Sequence, residues 1–127
     1  MALPMKLTEA QLERQCSDFL ALDGWRGLRT DPCSDRRRAK GFGEIGMADH
    51  LYIRYVAVSA AYVAAGCDVM WIEYKRPGQH ATPQQQRWHL AERARGALTL
   101  IAGEDFPATY GGFLGYYRGS GLLRRIP

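Results

Sequence analysis

Apolar residues at helical spacing mark the first element of the chain. Its buried face is made by four residues at i, i+4, i+7 and i+8: Leu12, Cys16, Phe19 and Leu20. Thr8 and Gln11 form a capping-box pattern at the start of this helix. Gly24 stands where a C-terminal cap is expected. The pattern therefore predicts a helix between Thr8 and Gly24.

A second helix is predicted from the order of its first and last residues. Thr82 supplies a cap and Pro83 a favourable first-turn residue, and the helix runs to about Arg95 before Gly96. Trp88 lies at helical spacing from Ala91, and we expect its ring to be part of the core.

Strands are predicted for four segments: Trp25–Thr30, Asp49 to about Ser59, Asp68–Lys75 and Ala97–Ala102. Turn residues at 66–68 join the second and third of these segments, which indicates an antiparallel hairpin. The Ala-rich stretch Ser59–Ala65 is ambiguous and is compatible with a helical turn. The element order is α-β-β-β-α-β, an α/β fold with a small mixed sheet flanked by helices.

Length and composition bound the class of protein. The chain has 127 residues, which is the size of one domain (1–127), and carries a net charge of +4. Fourteen arginines against three lysines favour a polyanionic partner, because the guanidinium fork suits phosphate. Three cysteines without a C-x-x-C pair argue against a disulfide framework and favour a reducing compartment. With neither a signal sequence nor an apolar stretch of membrane-spanning length, we expect a cytoplasmic protein without membrane contact.

Polar residues at the end of the third predicted strand are the strongest indication of chemistry. Glu73 and Lys75 are two apart and share one strand face with Trp71. Buried charges need partners, and Asp49 begins the adjoining strand of the hairpin. Two close carboxylates repel unless a cation lies between them, and oxygen ligands beside phosphate suit Mg²⁺. A charge pair on a solvated strand face remains the alternative for Glu73 and Lys75.

Three motifs in order resemble the VRR-NUC branch of the PD-(D/E)xK nucleases: GMAD at 46–49, IEYK at 72–75 and TPQQQRW at 82–88. The resemblance covers about residues 8–102, and 103–127 form a C-terminal extension. It implies a restriction-endonuclease-like core and a DNA endonuclease that depends on Mg²⁺ or Mn²⁺. Stand-alone domains of this family resemble homodimeric Holliday-junction resolvases of phage and bacteria, so branched DNA and a homodimer are expected.

The resemblance also assigns roles to the motif residues. Asp49 and Glu73 would bind the metal with the backbone carbonyl of Tyr74, and Lys75 would assist the attacking water. Gln85 would support the site from the second helix. A purely structural role for Gln85 stays open, because it also completes a capping box with the threonine at 82.

The motifs leave two candidates for the acid that the first helix supplies. Glu13 matches the first-helix acid of related junction-resolving nucleases, and Glu9 is the second choice. Either side chain also favours the helix dipole without any catalytic role. The sequence departs from the family pattern at Ala48, where proline is usual, and at His50, where an apolar residue is usual. We interpret His50, like the other histidines, as structural or surface.

Basic residues supply the expected contacts with DNA phosphates: Arg36, Arg37, Arg38, Lys40 and Arg76, helped by the tail arginines Arg118, Arg124 and Arg125. The run at 36–40 is otherwise a solvated loop. Three alternatives to a structure-selective nuclease stay open: a non-catalytic DNA-binding module, a sequence-specific restriction or nicking enzyme, and a regulatory domain that binds proteins.

Overall fold

The computed structural model describes residues 8–30, 44–55 and 66–124. Within these ranges the elements are, in chain order, α1 (Glu9–Leu22), β1 (Trp25–Arg29), β2 (His50–Tyr55), β3 (Cys67–Glu73), α2 (Pro83–Ala94), β4 (Leu98–Ile101) and α3 (Tyr110–Gly119). Asp49 lies directly before β2, and Lys75 lies two residues after β3 ends. The last residues of the predicted second strand and the Ser59–Ala65 stretch fall outside the described ranges.

The strands form one mixed sheet in the order β1-β2-β3-β4. The pairs β1–β2 and β2–β3 are antiparallel, and β3–β4 is parallel. A parallel pair needs a crossover connection, which α2 provides between β3 and β4. The predicted α/β class, mixed sheet and antiparallel hairpin pairing are confirmed.

Both capping boxes form as the sequence predicts. The Thr8 hydroxyl accepts from the Gln11 backbone N–H at 3.1 Å, and the Gln11 side-chain oxygen accepts from the Thr8 backbone N–H at 2.8 Å. The apolar stripe of α1 is buried at Leu12, Cys16 and Leu20. Burial of this face stabilises a helix more than the propensities of its residues do. The first helix was therefore readable from its spacing.

The two faces of the sheet have different partners. Met70 and Ile72 of β3 join the core cluster that α1 and α3 complete. Trp71 points the other way, since neighbouring strand residues alternate, and its ring meets the edge of Trp88 in α2 with centroids 5.1 Å apart. Trp88 is buried, as predicted. The helices thus lie on both sides of β3, and the end of this strand falls between them.

The predicted element order lacked the last helix. Four of the ten residues of α3 are glycine, which lowers helix propensity, so the sequence pattern did not indicate a helix there. Packing compensates, because Phe113 and Tyr117 are fully buried in the core cluster. Gly112 is required, since a Cβ at this position would lie 2.5 Å from the Cβ of Pro107. The element order is therefore α-β-β-β-α-β-α.

The buried side chain of Arg54 connects β2 to the residues that follow α1 and α3. Arg54 is 4% exposed, and its guanidinium contacts Asp23 at 3.2 Å and Asp68 at 2.8 Å. It also lies over the Trp25 ring and donates to the Leu122 carbonyl at 2.7 Å. These contacts attach the segment after α3 to the end of α1 and to the middle of the sheet.

Candidate functional site

The segment before β2 is fixed against both β1 and α2. Gly46 has a φ of +82°, and a Cβ there would lie 2.2 Å from the carbonyl oxygen of Gln84. This contact requires glycine and brings the segment onto the first turn of α2. The Thr30 N–H donates to the Asp49 carbonyl at 2.9 Å, and the Thr30 hydroxyl donates to the carbonyl of Ala48. These backbone contacts fix the position of Asp49 independently of the contacts of its side chain.

Asp49 and Glu73 meet at the end of the sheet, as the motif spacing predicted. Glu73 is 3% exposed. Burial, followed by the charge of Asp49 and a hydrogen bond with it, raises the pKa of Glu73 to about 9, while Lys75 opposes the shift. A carboxyl group that is buried beside a second acid favours its protonated form unless a cation offsets the repulsion.

Lys75 lies in the same buried environment. Its side chain is only 6% exposed, and its charge acts on both Glu73 and Glu9. An ammonium group buried to this extent needs negative neighbours to stay charged. The alternative prediction, a solvated charge pair of Glu73 and Lys75 on a strand face, is therefore wrong, because both side chains are buried.

Gln85 makes a capping contact and also a contact with Glu73, so its two interpretations from sequence do not exclude each other. Its side-chain oxygen accepts from the Thr82 N–H at 2.9 Å and completes the capping box of α2. Its side-chain nitrogen donates to Oε1 of Glu73 at 2.9 Å. The cap fixes the amide, so the donor is held toward Glu73, whose carboxyl group also makes a hydrogen bond with Asp49.

The two acids of α1 have different surroundings. Glu13 Oε1 lies 2.9 Å from Nε2 of His50 and 3.9 Å from the Arg29 guanidinium. Glu9 is partly buried, and its pKa is raised by this burial and by the charge of Asp49, while Lys75 lowers it. Glu9, the second choice from sequence, thus interacts with the residues at the end of β3, whereas Glu13 pairs with a histidine.

His50, which we interpret from sequence as structural or surface, lies buried between the side chains of Asp49 and Glu13. Its ring is almost fully buried, with Nδ1 2.9 Å from Oδ1 of Asp49 and Nε2 2.9 Å from Oε1 of Glu13. Burial lowers the pKa of His50, but hydrogen bonds and charges from Asp49 and Glu13 outweigh burial and raise it. The available signal was its position, since it alternates with Tyr52 and Arg54 on the core face of β2.

The basic residues are only partly described. Arg36, Arg37, Arg38, Lys40 and Arg125 lie outside the described residues. Arg76 is exposed and lines an open groove of about 990 Å³ together with residues 8–10 and 77–79. Arg118 is exposed on α3. Arg124 contacts Asp68 at 3.4 Å, at the opposite end of β2 from Asp49, so it has a structural partner there.

Residues 8–30, 44–55 and 66–124 contain no group of three or more His, Cys, Asp and Glu side chains arranged to hold a metal ion. None of the helices in these ranges combines the length and the hydropathy needed to cross a bilayer.

Comparison with protein-family models, with curated proteins and with solved structures found no match to this chain.

Proposed function

We propose that this chain is a metal-dependent DNA endonuclease with a restriction-endonuclease-like core of the VRR-NUC type. The observation that carries the proposal is the contact between the buried carboxyl group of Glu73 and the partly exposed carboxyl group of Asp49, with Lys75 buried beside Glu73. Two acids that repel each other at a buried site cost folding free energy, and a divalent cation would remove this cost. The α-β-β-β-α-β order of the described elements up to Ile101 supports the same proposal.

The donor set fits Mg²⁺ or Mn²⁺. Mg²⁺ keeps several waters and is commonly held by one or two carboxylates together with substrate phosphate, so a third protein acid is not required. Asp49 and Glu73 would be these carboxylates, with the Tyr74 carbonyl as a further oxygen. When bound, such an ion polarises phosphate and lowers the pKa of a coordinated water.

The remaining residues of the site would bind and orient the reactants. The Lys75 ammonium would hold the attacking water and stabilise charge that develops on the phosphate. Gln85 fixes one oxygen of Glu73 through its amide N–H. Arg76, exposed beside the groove, would contact the DNA backbone with the arginines at 36–38. Such contacts position a duplex without reading its sequence, which favours branched DNA as the substrate.

We also propose that two copies act together. A twofold homodimer is the commonest form of oligomer, and it would place two sites on paired strands of a four-way junction. A non-catalytic DNA-binding module is the second candidate. It is favoured by the fact that the described residues bring together two acids in direct contact and no three-acid metal group.

A cleavage assay with matched variants tests the proposal. Labelled four-way junction, flap, single-stranded and linear duplex DNA are incubated with Mg²⁺ or Mn²⁺. We expect cleavage that requires the metal, is strongest on branched DNA, and falls by about 100-fold or more in Lys75→Ala. Asp49→Asn should be similarly inactive, while Asp18→Asn makes the same change on the exposed side of α1 and should cleave normally.

Each alternative has its own outcome in this assay. Salt-sensitive binding of junction DNA without any cleavage would identify the non-catalytic module. Cleavage of linear duplex at one sequence, without preference for branches, would identify a restriction or nicking enzyme. Thermal melting of each variant establishes that it is folded, which is needed because Lys75 is buried.

A further inference from the structure

A single buried ring joins two acidic side chains that belong to different elements. His50 opens β2, and its two ring nitrogens each lie 2.9 Å from a carboxylate oxygen, one of Asp49 and one of Glu13. Asp49 belongs to the segment before the sheet, and Glu13 belongs to α1. The ring therefore connects α1 to the acid that contacts Glu73.

Packing holds the ring in this orientation. The rings of His50 and Tyr74 pack edge to face with centroids 5.0 Å apart, and the Tyr52 ring is nearly parallel to His50 with centroids 6.1 Å apart. Ladder pairing of the His50 backbone with Arg29 on β1 and Ile72 on β3 fixes its Cα. A ring restrained by two aromatic neighbours and two strands has little freedom to turn away from its carboxylate partners.

The described contacts of Glu13 link it to Asp49 through the His50 ring. Its Oε1 atom contacts His50 at 2.9 Å and faces Arg29 at 3.9 Å. A carboxylate occupied in this way is well placed to anchor an imidazole. Residues that orient metal ligands through hydrogen bonds typically change metal affinity or activity by 10- to 100-fold when they are removed.

We propose that His50 is a positioning residue that fixes the Asp49 carboxylate against Glu73, and that Glu13 acts through His50 instead of binding the metal. This inference rests on the proposed function, since it concerns how tightly the Asp49–Glu73 pair holds a divalent cation. It assigns a role to the histidine at which the sequence departs from the family pattern.

Direct Mn²⁺ binding to the full chain without DNA, measured by titration calorimetry, tests the role of His50. His50→Phe keeps a ring against the two tyrosines and removes the hydrogen bond to Asp49 and the ion-pair contact with Glu13, so we expect binding about 10- to 100-fold weaker than wild type. His50→Asn loses the ring but keeps an amide donor near Asp49, so it should bind Mn²⁺ more tightly than the Phe variant. A purely structural role for the ring predicts the reverse order.

Glu13→Gln tests whether Glu13 acts through His50 or binds the metal ion directly. If Glu13 acts through His50, Glu13→Gln weakens Mn²⁺ binding in the wild-type background and has no further effect in His50→Phe. Additive losses in the double variant would show that Glu13 contacts the ion itself and would overturn the inference.

Two further results separate this inference from the proposed function. Mn²⁺ binding of unchanged affinity in His50→Phe would overturn the inference and leave the nuclease proposal standing. Failure of the folded wild-type chain to bind Mn²⁺ at millimolar concentration would overturn the proposed function and the inference with it. Thermal melts recorded on the same samples identify any variant that is unfolded.

Discussion

Replacing the Glu73 carboxyl group by an amide should change how the stability of the protein depends on pH. Glu73 is 3% exposed, and its pKa rises from 4.5 to about 9 through burial and the adjacent Asp49. Between these two values the folded chain keeps a proton that the unfolded chain has lost. Because the folded state binds more protons, a rise in pH across this interval favours unfolding.

The magnitude follows from the number of protons. One proton bound only in the folded state changes the free energy of unfolding by about 1.4 kcal/mol for each pH unit. Between pH 6 and pH 8 the wild type should therefore lose about 2.7 kcal/mol relative to Glu73→Gln, which carries no titrating group there. The stabilisation that the protonated acid contributes is complete below pH 4.5 and is lost as the pH rises toward 9.

Urea unfolding in the presence of a chelator measures this difference. Unfolding curves of the two proteins are recorded at half-unit steps from pH 6 to pH 8, and their free energies are subtracted to remove the other titrating groups. Glu104→Gln makes the same chemical change at an exposed position and should retain the wild-type slope. Parallel pH profiles for wild type and Glu73→Gln would refute the reasoning, because they would mean that Glu73 binds no additional proton on folding.

Three further substitutions test other parts of the structure. Gly46→Ala should lower the free energy of unfolding by more than the roughly 1–3 kcal/mol of backbone strain, because the new Cβ would also clash with the backbone of α2. Gly78→Ala is the control: its φ is similar but the space around it is open, so urea unfolding should show only the cost of the strain. Arg54→Met removes the guanidinium that pairs with the buried Asp23 carboxylate and should cost about 3–5 kcal/mol by the same measurement; a loss under 1 kcal/mol would contradict this role of Arg54. Gln85→Glu keeps an oxygen that can cap α2, so the thermal midpoint should stay within a few degrees of the wild-type value. It loses the N–H that Gln85 donates to Glu73, so Mn²⁺ binding should be weaker, and tighter binding would contradict the donor role.

Local patterns determined most of the secondary structure of this chain. Apolar spacing and capping boxes predicted α1 and α2, and two strand-forming segments separated by a predicted turn indicated the antiparallel pairing of β2 with β3. Such signals are readable because they depend on residues a few positions apart. The predicted position of the turn at 66–68 was wrong, since Cys67 and Asp68 belong to β3 and pair with β2. The helix α3 was not readable, since its glycines disfavour a helix locally and only burial of Phe113 and Tyr117 stabilises it.

The sequence placed Asp49, Glu73, Lys75 and Gln85 at one site, because strand ends and helix starts at fixed intervals bring them together. It left open whether Gln85 caps a helix or supports the site, and the geometry of its amide allows both at once. It did not indicate the link from Glu13 through His50 to Asp49. That link depends on how α1 packs across β2, an arrangement set by the whole core, so only the tertiary structure decided it.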